Sequence, residues 1–237
     1  VTRKRTTGGR GQAAQTTPIS GIVAVVVLLL VMGGVVAVLL SNNSSTATTP
    51  AATDAPISGV LPTAETYEYA AAPELNLDLG RRYTATILTP RGEIVIELLP
   101  EIAPGTVNNF IFLAENNFYN GLTWHRVLEG FMAQGGDPLG TGTGGPGYQI
   151  PAEFTSQISF DQPGLVAMAR SQDPDSAGSQ FFITTGAAQW LDGQYTIFGR
   201  VISGQDVVQG IPLRDPQNPA DLQRPGETIL GITISSS

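Results

Sequence analysis

Residues Gly21 to Leu40, GIVAVVVLLLVMGGVVAVLL, form an unbroken run of twenty residues without a charge. Wound as a helix, the run spans about 30 Å, the thickness of the hydrocarbon core of a bilayer. It exceeds the roughly 7 to 15 apolar residues of a signal-peptide core, and no convincing A-x-A cleavage site follows it. The Ser/Thr/Pro-rich tract beyond it offers nothing against which a soluble helix could be buried. The run therefore reads as an uncleaved transmembrane helix that anchors the chain in a membrane. Arg3, Lys4, Arg5 and Arg10 precede it, and no basic residue lies between Arg10 and Arg81. The positive-inside rule then leaves residues 1–20 as a basic cytoplasmic tail and carries the rest across. The expected localisation is single-pass, with the N-terminus cytoplasmic and the folded part extracytoplasmic.

From 41 to 76 the composition shifts to Ser, Thr, Ala and Pro, too little apolar surface to hold a fold, and this reads as a flexible linker. Asn42-Asn43-Ser44 and Asn43-Ser44-Ser45 match a glycosylation sequon, a pattern too short to carry weight. Residues 77–237 are left for one folded domain. The chain has 12 basic and 20 acidic side chains, a net charge of -8. All 20 acids and only 8 arginines follow the apolar run, so that part carries -12 (8 minus 20). Such a balance excludes nucleic acid as a partner. There is no cysteine and His125 is the only histidine, so neither thiolate chemistry nor a multi-histidine metal site is available. No metal and no cofactor are expected.

Within 77–237, Tyr83 to Leu88 and Glu93 to Leu98 alternate apolar and polar residues around a turn and predict an antiparallel hairpin. Pro104 to Asn117 places Val107, Phe110, Ile111 and Ala114 at helical spacing, one stripe against a core. Short strands are predicted at Leu122 to Val127, Phe131 to Gln134, Gly164 to Ala169, Phe181 to Thr184 and Thr196 to Val201. A second helix follows at Gly204 to Ile211 and a closing strand at Thr228 to Ile234. The expected fold is mainly β, a closed eight-stranded antiparallel β-barrel capped by two α-helices, closure leaving no free edge.

Familiar chemistries fall away quickly. A P-loop needs a lysine, and the only lysine is Lys4. Gly140, Gly142 and Gly145 satisfy G-x-G-x-x-G, but Pro146 and Gly147 follow, so the run is a loop and not the start of a phosphate-binding helix. No G-x-S-x-G elbow presents a serine to His125, which in a strand would point away from Trp124 and Arg126 and reads as a satisfied core histidine. Asp173 and Asp175 flank a proline and read as a turn. What survives is the stretch Thr123 to Asp137, TWHRVLEGFMAQGGD, in which Arg126 lies near the apolar pair Phe131 and Met132 and the amide Gln134. It has the character of a binding surface.

WHRVLEGFMAQGGDPLGTGTGGPGY, GLVAMAR, GSQFFIT and WLDGQYTIFGRV follow one another in an order that resembles the cyclophilin-type peptidyl-prolyl isomerases, over roughly residues 80 to 236. The resemblance implies an eight-stranded barrel with two helices and a groove on its outer surface for proline-containing peptides or unfolded proteins. It implies catalytic roles for Arg126 and Gln134, with Trp124 where the family often has phenylalanine. By the same resemblance Phe131, Met132, Phe182 and Leu191 form a proline pocket, while Gln134 and Gln180 hold the arginine and the peptide. Gly142 belongs to the glycine-rich loop, and Ala169, Arg170, Trp190 and Tyr195 line the groove. Two positions depart from the family pattern. Tyr195 stands where many members have histidine, and Met168-Ala169-Arg170-Ser171 replaces M-A-N-A. The added charge of Arg170 either favours acidic substrates or hinders their access. A catalytically weak proline-peptide binding module or chaperone on the same fold is the alternative, and the pairing of Arg126 with Gln134 favours an enzyme that assists folding outside the cytoplasm.

Overall fold

The computed structural model describes residues 68–237. The basic tail, the transmembrane helix read at 21–40 and the linker up to residue 67 lie outside the described residues. Among the described residues no helix is long and apolar enough to cross a membrane.

Strands β1 (Tyr83–Thr89) and β2 (Gly92–Leu98) form the expected hairpin. Their alternation is the cause: Ala85, Ile87, Ile94 and Ile96 are fully buried, while Leu88 and Glu93 face out as cross-strand partners. Helix α1 (Pro104–Glu115) begins on a proline, whose missing N–H is no loss at a first turn. Its next amides are taken up by a distant carboxylate, Glu153, which accepts from Gly105 N at 3.0 Å and from Thr106 N at 2.8 Å. Besides the predicted stripe, Asn108 and Asn109 are buried. Asn108 exchanges hydrogen bonds with Asn76 N and Glu74 O, and Asn109 donates to Gly178 O and accepts from the Tyr148 hydroxyl. The residues from 68 to 76, assigned to the linker by composition, thus run along the helix. Tyr69 stands edge-on to Phe112 at 5.1 Å.

The remaining elements are β3 (Thr123–Trp124), β4 (Arg126–Leu128), β5 (Met132–Gly135), β6 (Leu165–Met168), β7 (Phe181–Thr184), β8 (Ile197–Ser203), α2 (Gln205–Gln209), α3 (Pro219–Leu222), β9 (Glu227–Thr228) and β10 (Gly231–Ser236). They make an eight-stranded sheet in the order β10-β1-β2-β8-β6-β7-β5-β4, with β3 and β9 paired apart.

The sheet curls but does not close, which corrects the closed barrel expected from the sequence. Two predicted strands are each two strands. Leu122 to Val127 breaks at His125 and Thr228 to Ile234 breaks at Ile229 and Leu230. The leading halves pair with each other, Thr123 opposite Thr228 and Trp124 opposite Glu227, while the trailing halves β4 and β10 remain at opposite edges of the main sheet. The edge of β4 is covered instead by Arg214, which exchanges backbone hydrogen bonds of 2.7 and 2.9 Å with Val127.

Strands β5 to β7 and the first three residues of β8 are largely buried on both faces, so alternate residues enter different clusters. Ala133, Val166, Met168, Phe181, Ile183 and Phe198 face the main core with helix α1. There Phe110 packs edge-on to Phe181 at 5.5 Å and Trp124 edge-on to Phe181 at 5.6 Å. Met132, Leu165, Ala167, Phe182 and Ile197 point the other way, into a second and smaller apolar cluster with Phe160, Ala188 and Leu191.

Candidate functional site

The second cluster is where the site forms, because register places a row of side chains across four neighbouring strands. Arg126 on β4 is opposite Gln134 on β5, Gln134 is opposite Phe182 on β7, and Phe182 is opposite Ala167 on β6. Directly opposed residues share one face of a sheet. Leu128, Phe131, Ile158, Ala169 and Tyr195 are the partly buried residues around that cluster. Of the residues singled out in the sequence, Phe131, Met132, Ala169, Phe182, Leu191 and Tyr195 are therefore brought together.

A chain of polar contacts runs beside this apolar floor. Arg126 Nη1 donates to Gln134 Oε1 at 3.4 Å, Gln134 Nε2 donates to Gln180 Oε1 at 2.9 Å, and Gln180 Nε2 donates to the Gly144 carbonyl at 2.8 Å. The first link is long, and a guanidinium has five N–H donors, so Arg126 is steered without being used up. Burial lowers the pKa of Arg126 from its ordinary value, opposed by the charge of Asp215 and by the Tyr195 phenol. An arginine so placed stays a cation and a donor, never a base.

The aromatic walls are ordered by mutual contact. Phe160 is stacked on Phe182 at 6.1 Å, Tyr195 is edge-on to Phe182 at 5.7 Å, and Phe131 meets Trp190 at 5.7 Å. Trp190 is 63% exposed, so it forms the rim and not the floor. Arg170 lies against Tyr195, its guanidinium carbon 4.8 Å from the ring centroid.

Three residues that sequence reasoning passed over hold the site together. Asp137, 1% exposed, accepts from Leu139 N at 2.8 Å and Thr141 N at 2.9 Å, and also from Gly142 N. It thereby shapes the glycine-rich loop. Gly142 has a φ of +91° and its N–H is turned inward to Asp137, so the loop glycine that meets the polar chain is Gly144. A Cβ at Gly144 would fall 2.1 Å from Asp137 Oδ1, which is why only glycine can pass there. Asp192 accepts from Phe160 N at 2.7 Å and from the Ser159 hydroxyl at 2.6 Å, tying the Trp190 turn to the cluster floor. The readable signal for Asp137 was its position two residues before an amide it can cap, an Asx-turn.

His125 corrects the expectation of a satisfied histidine. It is buried at 2% exposure, as is Trp124 at 0%, because the strand breaks between them and no longer alternates. Neither ring nitrogen completes a hydrogen bond. Burial lowers its pKa, against the opposing pull of Asp137 and the nearby Thr123 carbonyl and with the help of Arg126 and Arg214. Among the described residues no group of three or more His, Cys, Asp or Glu could hold a metal ion.

A cavity of about 560 Å³ opens by the glycine-rich loop, lined by Glu68, Leu139, Thr143, Gly144 and Tyr148 among others. It shares Gly144 with the polar chain but none of the aromatic walls, so the chemistry of the Arg126 row identifies the groove better than volume does.

An open, curled antiparallel sheet whose outer face carries an apolar floor beside one steered arginine defines a binding surface without acid/base machinery. The chain belongs to the cyclophilin type peptidyl-prolyl cis-trans isomerase/CLD family, whose sequence model matches residues 84–232. It is 45% identical to peptidyl-prolyl cis-trans isomerase B of Streptomyces anulatus, over 64% of this chain and 95% of that protein. It is 47% identical to peptidyl-prolyl cis-trans isomerase A of Mycobacterium tuberculosis, over 54% of this chain and 79% of that one. Among solved structures it is similar to a Cryptosporidium parvum cyclophilin crystallised in the presence of the dipeptide Ala-Pro, with a TM-score of 0.58 and 33% identity, covering 65% of this chain and 99% of that chain.

Proposed function

We propose that this protein is a peptidyl-prolyl cis-trans isomerase that binds X-Pro segments across the Arg126 row, with Phe131, Met132, Phe182 and Leu191 around the proline ring. The observation that carries the reading is the polar chain from Arg126 through Gln134 and Gln180 to Gly144, set beside an apolar cluster.

The reaction makes and breaks no bond. Resonance across the C–N bond gives a barrier of about 18 to 20 kcal/mol and lifetimes of tens to hundreds of seconds for X-Pro. As the bond twists, conjugation is lost and the prolyl nitrogen regains a lone pair. A fixed donor aimed at that nitrogen stabilises the twisted state more than either planar one. Arg126 is that donor in this reading, with Gln134 and Gln180 orienting it and meeting the peptide. A millisecond turnover from a background of about 100 s requires roughly 10⁵-fold acceleration, about 7 kcal/mol at 1.36 kcal/mol per decade. One charged hydrogen bond contributes about 1.5 to 3 kcal/mol, so the apolar walls supply the rest by excluding water and holding the ring while the flanking chain turns.

Exchange NMR on an X-Pro peptide tests this directly. The full chain accelerates exchange, and Arg126→Ala lowers the rate by at least a hundredfold while the fold is kept. Peptide binding without acceleration in the unaltered chain would make the protein a binding module instead, and an unchanged rate in Arg126→Ala would remove the assigned donor.

We further read residues 21–40 as a membrane anchor and 41–67 as a tether, which makes the protein a foldase acting outside the cytoplasm on newly exported chains. The support is the uncharged twenty-residue run and the basic residues ahead of it. Protease treatment of intact spheroplasts digests the domain if this orientation holds; digestion only after lysis overturns it.

A further inference from the structure

Among the described residues Arg170 is the cation seated on Tyr195 at the side of the apolar cluster, and its surroundings leave its charge unspent. Nε donates to Gln194 O at 2.8 Å, and Nη1 donates to Ser171 O at 2.8 Å and Gln172 O at 3.3 Å. The guanidinium carbon is 4.8 Å from the centroid of Tyr195 and 5.9 Å from that of Phe154. All three acceptors are neutral carbonyls. Among the described residues four other arginines, Arg81, Arg91, Arg200 and Arg224, have carboxylate partners, and Arg170 has none. Nη2 makes no hydrogen bond among the described residues.

The three carbonyls and the ring hold the arm back against its own wall, so the charge borders the groove without bridging it. Tyr195, on which it rests, is itself edge-on to Phe182 in the cluster floor at 5.7 Å. Ala169, its neighbour in sequence, packs against the same cluster. Arg170 is therefore one ring from the floor, planar, pre-ordered and short of an anionic partner. A guanidinium in that state meets a carboxylate at little further cost in side-chain entropy.

We propose that Arg170 selects substrates, favouring X-Pro segments with a carboxylate side chain on a residue flanking the proline. The proposal rests on the isomerase reading above and adds the substrate class. Arg170 is a specificity-determining residue and does not touch the reacting bond. The rest of the folded domain carries an excess of acids, so the groove is the place where an acidic segment meets positive charge instead of repulsion.

The test uses the full chain and a matched set of short peptides with Glu, Gln or Lys immediately before or immediately after proline, with kcat/KM from exchange NMR. At one of the two positions Glu is favoured over Gln by about 3- to 5-fold, which is about 0.6 to 1 kcal/mol at 1.36 kcal/mol per decade. Lys falls below Gln, and the preference shrinks at 0.5 M salt. The ratio of Glu to Gln peptides is the readout, whatever the absolute rates of the variants. It falls to about 1 in Arg170→Met, which keeps a long apolar cover on Tyr195, and persists in Arg170→Lys. A Glu to Gln ratio of 1 in the unaltered chain, with the Gln peptides turned over normally, overturns the selection and leaves the isomerase standing. A preference that survives Arg170→Met also overturns it. No turnover of any peptide overturns both.

Discussion

Asp137→Asn is the substitution with the most to say about how the site is held. The carboxylate is buried and accepts three backbone N–H bonds, from Leu139, Thr141 and Gly142. Asparagine keeps one acceptor oxygen, which can retain Leu139, and turns an NH₂ toward the amides of Thr141 and Gly142. Two hydrogen bonds to a charged acceptor, at about 1.5 to 3 kcal/mol each, are replaced by donor facing donor. Local opening of the loop relieves part of the cost, leaving a loss of about 2 to 4 kcal/mol. At about 2 to 4 °C per kcal/mol for a domain of this size, thermal unfolding falls by roughly 5 to 15 °C. The kinetic effect is larger in kind. The Gly144 carbonyl anchors Gln180, which anchors Gln134, so a loosened loop frees the chain that steers Arg126. A misplacement of about 1 Å costs roughly a hundredfold in rate. The assays are unfolding by circular dichroism, amide exchange at Leu139, Thr141 and Gly142, and kcat/KM well below the lowered midpoint. If the three amides lose protection and kcat/KM stays within twofold, the loop does not position the arginine and no such coupling exists.

Two other expectations follow from local surroundings. A fragment beginning at residue 78 unfolds about 4 to 12 °C below one beginning at 68, because it lacks Tyr69 on Phe112 and the Asn76 and Glu74 bonds to Asn108, together about 2 to 3 kcal/mol; equal midpoints would show that the segment contributes nothing. Burial lowers the pKa of His125, so the folded state binds fewer protons than the unfolded one. Stability is then full above the unfolded value of about 6.5 and is lost as pH falls through it. His125→Leu flattens that slope between pH 7 and 5, while turnover of the unaltered enzyme stays nearly level from about pH 6 to 8; an unaltered slope in the variant refutes the assignment.

Elements whose pattern is local were legible in the sequence. The β1–β2 hairpin and the stripe of α1 follow from alternation or helical spacing, and β7 from a short apolar run, all within a few residues. The open sheet was not, because nothing in 122–127 or 228–234 says that each segment will divide its pairing between two partners. That choice is made by Trp124 reaching the core beside Phe181 while Arg126 turns to Gln134. Arg126 and Gln134 stand out in the Thr123 to Asp137 stretch itself, whereas Gln180 and Phe182 follow only from the resemblance; their neighbourhood depends on pairings such as Gln134 with Gln180, 46 residues apart, which no local pattern encodes. Arg170 was visible as a charge but not as a stacked one, since Tyr195 and Phe154 lie on other segments.

The row also limits what the site can recognise. Arg126, Gln134, Phe182 and Ala167 occupy four adjacent strands, and opposed residues are about 4.5 to 5.5 Å apart, so the row extends about 15 Å. An extended chain covers about 3.3 Å per residue, which makes the row as long as a segment of four or five residues. Rotation about X-Pro needs one side of the bond held and the other free to turn, so only part of that length can be gripped tightly. In the proposed reading such a site takes the proline by shape and a flanking residue by charge. In the proposed reading the sheet offers a floor and one steered donor, while discrimination is left to residues at the rim, Arg170 among them.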